Sequence, residues 1–215
     1  FLIIWYFSQD FFKKRIYSLI SILLLSGIYF YNYTTPEFNV YICELPFWAL
    51  TVFFLWRGFK HNKGPDWLLM GLFGGLGMLS HYLFLYLLIS VALFLFYMIA
   101  RKKIDTKCFI SLFTFFLIIC PHLIWLSENN YTTLTYGIQR TGLSEGSFFN
   151  HLKHPIVFFG KQIGILSPFF IMIYVIISKF KIKISLKDNK LLFLLFINIL
   201  PLILIFLTSM LIGIK

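Results

Sequence analysis

Polar residues divide this chain into apolar runs of about 18–20 residues, the length of helix that crosses a bilayer core. Phe1–Phe7 reads as the last turns of a span begun upstream, followed by a polar turn at Gln9–Arg15. Ile16–Tyr31 and Val40–Trp56 are the next two runs, and Trp67–Ala100 holds two short helices meeting near Ser80, His81 and Tyr82. Cys108–Leu126, Ile156–Ser178 and Leu191–Ile214 complete a prediction of seven full spans and one partial one. The pattern predicts an all-α, polytopic transmembrane helix bundle, a single domain over residues 1–215. Pro46 should kink its span close to Glu44, and Pro121 should kink or end another, because proline removes one helix hydrogen bond. The one long polar segment, residues 127–155, is expected to be a loop with a short interfacial helix around Phe148–Lys153.

Composition sharpens this. Hydrophobic residues make up 60% of the chain and charged residues 13%, which no soluble globular class matches. The formal charge of +11 does not point to nucleic acid, because the basic residues are confined to alternate loops. Fifteen of the nineteen Lys and Arg lie at Lys13–Arg15, Arg57–Lys63, Arg101–Lys107 and Lys179–Lys190. The positive-inside rule makes those loops cytoplasmic. All four Asp fall on that side and all four Glu at or near the other. Cys43, Cys108 and Cys120 lie in or near spans and form no disulfide framework.

The candidate chemistry gathers on the outer side. Glu37 and Glu44 are seven residues apart, about two helical turns, and share a face if their helix starts by Pro36. A carboxylate on an apolar helix is costly, and function is the usual reason to keep one. Asn39 lies between them. His81 ends a glycine-rich helix; its Gly71 and Gly75 form a GxxxG spacing that lets helix backbones approach, which is a packing signal and no nucleotide loop. His122 and Trp125 share a helix face, and Trp125 also suits the aromatic belt of a membrane interface. Arg140 is the strongest anion binder of the outer loop, since a guanidinium meets phosphate through two hydrogen bonds. Lys161 lies one turn into a span, where it either snorkels outward or meets a lipid phosphate. His151 and His154 have an HxxH spacing without an evident third ligand, so a divalent metal cofactor is left open.

Several pieces in this order resemble the membrane glycosyltransferases of the GT-C type. They are Thr35-Pro-Glu-Phe-Asn39, Leu45-Pro-Phe-Trp-Ala-Leu50 and the glycine-rich run Asp66–Ser80. Pro121-His-Leu-Ile-Trp125, Leu134-Thr-Tyr-Gly-Ile-Gln-Arg140 and Gly164-Ile-Leu-Ser-Pro168 continue the likeness. The nearest groups are the bacterial enzymes classed with dolichyl-phosphate-mannose protein mannosyltransferases, and the lipid A aminoarabinose and lipopolysaccharide galacturonosyl transferases. The resemblance implies inverting transfer of a sugar from a polyprenyl-phosphate donor to a lipid, glycan or protein acceptor at the periplasmic face of a bacterial inner membrane. It also implies a principal acid in an outer loop upstream of Phe1, leaving Glu37 and Glu44 as supporting acids. Asn39, His81, His122, Arg140 and Lys161 would bind substrate. Many relatives carry Lys where this chain has His81.

Two other classes compete. Intramembrane glutamates also suit a polytopic transporter or lipid flippase, although no paired broken helices recur in corresponding halves. A non-catalytic membrane assembly subunit is the third reading.

Overall fold

The computed structural model describes residues 1–28, 31, 36–140, 149–177 and 188–212, and the side chains of residues 140 and 175–177 are not included. Among the described residues all regular structure is helical. The helices are α1 (Leu2–Gln9), α2 (Arg15–Ser26), α3 (Val40–His61), α4 (Gly64–Ser80), α5 (Leu85–Ala100), α6 (Phe109–Glu128), α7 (Thr132–Arg140), α8 (Asn150–Ile177) and α9 (Asn189–Ile212). Short 3₁₀ turns at Tyr82–Phe84 and Thr106–Cys108 lead into α5 and α6. A π-helical segment, Leu195–Ile199, interrupts α9.

Five helical stretches among the described residues are long and apolar enough to cross a membrane: Val40–His61, Tyr82–Ala100, Thr106–Glu128, Asn150–Tyr174 and Asn189–Ile212. The protein is an integral membrane protein. The predicted seven is larger because it counts α2 and α4, which have 12 and 17 residues. At 1.5 Å per residue, α4 is about 26 Å long and α2 about 18 Å, against a hydrocarbon core of about 30 Å. Large apolar side chains lie on the outside, such as Phe113, Tyr174 and Leu211. That is the arrangement expected of a surface whose solvent is lipid.

Local chemistry sets the helix boundaries. Asn39 is extended, and its Oδ1 accepts the N–H groups of Tyr41 and Ile42 at 3.0 and 3.2 Å, so α3 begins at Val40. The start at Pro36 that would align Glu37 with Glu44 is therefore not realised, and Glu37 lies in the turn before the helix. α3 runs on through Pro46 and ends at Asn62, whose left-handed φ of 51° closes a tight turn. Pro65 then sits in the first turn of α4, where its missing N–H costs no helix bond. α6 likewise continues through Pro121 to Glu128. The expected outer loop is more helical than its polarity suggested. α7 occupies Thr132–Arg140, and the predicted short helix around Phe148–Lys153 is the start of one continuous helix from Asn150. Residues 141–148 lie outside the described residues.

Glycine allows the closest packing. A Cβ on Gly71 would lie 2.2 Å from the backbone oxygen of Ser111, and one on Gly75 would lie 2.8 Å from Ile118. The GxxxG stripe therefore seats α4 directly on α6. Gly58 does the same for α3 and α4, against the ring of Trp67. Toward the basic end an aromatic core joins α3, α5, α9 and the turn after α1. Phe193 packs 4.9 Å from Trp56 and 5.2 Å from Phe94, and Phe11 lies 4.8 Å from Trp56. Around it the Asp residues act as ties. Asp10 accepts from Trp56 Nε1 at 2.9 Å and Lys60 Nζ at 2.7 Å, Asp66 from Arg57 Nε at 2.9 Å, and Asp105 from Asn62 Nδ2 at 2.6 Å. With this end tied together, the opposite helix termini are left to build a candidate site.

Candidate functional site

At the end remote from the basic loops, α3, α4, α6 and α7 meet around the break between α4 and α5. His81 caps α4 in an extended conformation, with its N–H on Gly77 O at 3.2 Å. Its Nδ1 lies 3.1 Å from Glu44 Oε2, and the two side chains keep only 21% and 12% of their surface exposed. Tyr41, one turn before Glu44 on α3, sets its ring edge-on to the imidazole at 5.0 Å. With the proton on Nδ1, His81 donates to the carboxylate and presents an acceptor at Nε2. Among the described residues nothing else bonds that ring.

The next residue reaches the other way. Tyr82 Oη lies 2.9 Å from His122 Nε2 on α6 and 2.6 Å from Thr133 Oγ1 on α7. His122 in turn stacks on Trp125, with centroids 5.9 Å apart and planes 15° from parallel. Two proton arrangements satisfy the trio. Tyr82 donates to His122 and accepts from Thr133, or accepts from His122 and donates to Thr133. Because His81 and Tyr82 are adjacent, the α4–α5 break ties an acid–imidazole pair on α3 to a phenol–imidazole relay on α6 and α7.

An apolar cavity of about 340 Å³ opens along α3 immediately beyond Glu44, walled by Phe7, Leu25, Tyr31, Leu45, Trp48 and Asn198. Asn198 belongs to the π segment of α9 and donates to Leu194 O at 2.9 Å. Such segments are frequent at functional sites.

Of the residues anticipated from sequence, Glu44, His81 and His122 come to this region in hydrogen-bonded pairs. Glu37 is exposed in the turn before α3, and Asn39 is engaged as the cap of that helix. Lys161 is exposed on α8 and makes no ion pair among the described residues. Arg140 ends α7, and its side chain lies outside the described residues. His151 is held by Met210 O at 2.9 Å. No group of three or more His, Cys, Asp or Glu among the described residues is placed to hold a metal. Tyr41 and Thr133 were not singled out from sequence, and Tyr82 was noted only as part of the helix break. No spacing rule pairs residues so far apart in the chain.

The family model described as dolichyl-phosphate-mannose-protein mannosyltransferase matches residues 1–125. This chain belongs to that family. The match covers more than half of the chain and includes Glu44, His81, Tyr82 and His122, whereas Thr133, Arg140 and Lys161 lie beyond it. Membership makes the protein a member of a membrane glycosyltransferase group of the GT-C type. No curated protein and no solved structure matches the chain.

Proposed function

We propose that this glycosyltransferase-family chain moves a sugar from a polyprenyl-phosphate-linked donor to a lipid, glycan or protein acceptor, with inversion, on the side opposite the basic loops. The distribution of Lys and Arg makes that side the non-cytoplasmic one; the family resemblance makes it the periplasmic face of a bacterial inner membrane, which the chain crosses seven times on the reading of its apolar runs. The observation that carries the reading is the Glu44–His81 pair, a carboxylate kept on an apolar helix with an imidazole as its partner.

In an inverting transfer the acceptor oxygen attacks the anomeric carbon as the bond to the donor phosphate breaks. The phosphate leaves with that electron pair, and a base takes the acceptor proton. Glu44 serves this as a supporting acid: it fixes His81, and the Nε2 of His81 receives a hydroxyl of the acceptor or of the donor sugar. The Tyr82–His122–Thr133 relay places a second polar edge beside it. Arg140 and Lys161 approach the departing phosphate, Glu37 lines the mouth, and the apolar cavity suits part of the polyprenyl chain. Asn39 contributes by fixing where α3 starts, which sets the height of Glu44.

The test supplies radiolabelled polyprenyl-phosphate sugars to membranes containing the protein and follows label into lipid, glycan or protein. Transfer that falls in a correctly inserted Glu44→Gln variant supports the proposal. Absence of transfer with every donor, while a labelled substrate crosses the membrane, overturns it in favour of a transporter.

A further inference from the structure

The opposite end of α3 borders a second cleft. A cleft of about 340 Å³ is lined by Tyr6 and Asp10 from α1 and its following turn, and by Phe53, Arg57 and His61 from α3. Its volume lies within the range of about 300–1,000 Å³ usual for small-molecule sites. Phe53, Arg57 and His61 recur at four-residue spacing on α3, so they form one stripe along the helix.

The donors of this cleft are set without being used. Asp66 accepts from Arg57 Nε at 2.9 Å, and the guanidinium lies 5.6 Å from the centroid of Phe53. Those two contacts fix the plane of the group and leave both Nη atoms without a hydrogen-bond partner among the described residues. The Tyr6 hydroxyl and the His61 imidazole are likewise without hydrogen-bond partners among the described residues. Asp10 would repel an anion if it were bare. Its two carboxylate oxygens are occupied by Trp56 Nε1 and Lys60 Nζ, and Lys190 Nζ bonds its backbone oxygen at 2.5 Å. The Arg57–Asp66 and Lys60–Asp10 pairs cancel in charge, so Lys190 and the neighbouring Lys13, Lys14 and Arg15 leave this end cationic.

A fixed guanidinium edge with a phenol and an imidazole beside it suits a tetrahedral oxyanion, since arginine binds phosphate through parallel N–H bonds. We propose that this cleft binds a phosphate group, carried either by an anionic phospholipid headgroup or by a soluble phosphate compound. The site is distinct from the Glu44–His81 region and stands whether or not the chain transfers a sugar. It joins α1 to the helix that carries Glu44 at its far end.

The test has two arms on the purified full chain. In neutral detergent micelles, inorganic phosphate is titrated against chloride at equal ionic strength, with tryptophan fluorescence as readout because Trp56 is bonded to Asp10. In nanodiscs of phosphatidylcholine with or without phosphatidylglycerol, native mass spectrometry counts the phosphatidylglycerol released with the protein. Arg57→Gln should weaken binding about tenfold, the effect of one charge-assisted hydrogen bond. It also breaks the Asp66 pair, so the double variant Tyr6→Phe/His61→Gln, which removes neither partner of the Arg57–Asp66 and Lys60–Asp10 pairs, is measured beside it and should weaken binding by a similar factor. Lys63→Gln, on the same end but outside the cleft, should bind as wild type. Saturable phosphate binding in micelles identifies a soluble ligand, and retained phosphatidylglycerol without it identifies a lipid. A wild-type protein that takes up neither probe, or variants that bind both as tightly as wild type, would overturn the proposal.

Discussion

Breaking the pair between Glu44 and His81 should do more to transfer than to folding. The carboxylate and the imidazole are 3.1 Å apart with 12% and 21% of their side chains exposed, and neither has another hydrogen-bond partner among the described residues. A hydrogen bond to a charged group is worth about 1.5–3 kcal/mol and a neutral one about 0.5–1.5 kcal/mol. Glu44→Gln keeps the shape and a neutral bond, so it should cost roughly 1–1.5 kcal/mol. His81→Ala leaves the carboxylate without a partner and should cost about 1–3 kcal/mol. If Glu44 acts through His81, the double variant should be no slower in transfer than the worse single variant, with a coupling energy of about 1–2 kcal/mol. The assay is initial-rate transfer from a labelled polyprenyl-phosphate sugar in vesicles, with thermal unfolding of each purified variant as the stability control. Rates that multiply across the cycle, as for independent sites, would refute the linkage. Unchanged transfer in Glu44→Gln would remove Glu44 from the site altogether.

Four further outcomes follow from the same geometry. Alanine along α4 should destabilise in the order Gly71 before Gly75 before Gly74, because their added Cβ atoms meet a backbone oxygen at 2.2 Å, a side chain at 2.8 Å and a side chain at 3.4 Å. Thermal unfolding in detergent should show a loss of about 1–3 kcal/mol at Gly71, as in overpacked cores, and nearly none at Gly74. Tyr82→Phe should lower transfer while leaving the unfolding midpoint within a few degrees, since it removes the link between His122 and Thr133 and no apolar volume. Asn39→Ala should cost about 1 kcal/mol of stability as a lost helix cap and lower transfer by displacing Glu44, both restored by Asn39→Asp. For Asp10, burial raises the pKa, but hydrogen bonds from Lys60 and Trp56 and the charges of Lys60 and His61 outweigh it and leave the pKa lowered. Its contribution is therefore present above the unfolded carboxylate value near 3.9 and lost as pH falls through the lower folded value, so Asp10→Asn should abolish that acid-dependent part of the unfolding curve.

Much of the architecture was legible because membrane helices are written in long apolar runs, and the bilayer forbids unpaired backbone between them. The break at Ser80–Tyr82 could be placed because two short helices had to fit within Trp67–Ala100. Helix starts were harder to read. The apolar run begins at Val40, but Pro36 left room for an earlier first turn that would carry Glu37; the Asn39 cap decides the boundary, and that single hydrogen-bonding group leaves Glu37 off the helix. Polarity also misled in residues 127–155: Thr, Tyr and Gln at 132–139 read as loop, whereas α7 is helical there. In a membrane protein, polar composition marks where the chain leaves lipid and says little about whether it stays helical.

The candidate site was legible one residue at a time. Glu44, His81 and His122 each stood out as a polar group on apolar ground, which is a cost that needs a reason. In the structure each has a polar partner, Glu44 with His81 and His122 with Tyr82. Glu44 and His81 are on different helices, and only the close seating of α4, with Gly58 taking the face of Trp67, brings the far ends of α3 and α4 into hydrogen-bonding range. The same glycine-lined helix is seated on α6 through Gly71 and Gly75, which holds Tyr82 against His122. The glycines thus explain the chemistry at a distance. Residues chosen for backbone approach in the middle of the membrane fix the separation of polar groups at its edge. A Cβ at Gly71 should consequently disturb the Tyr82–His122 contact before it unfolds the protein, so transfer should fall at temperatures where the Gly71→Ala chain is still folded.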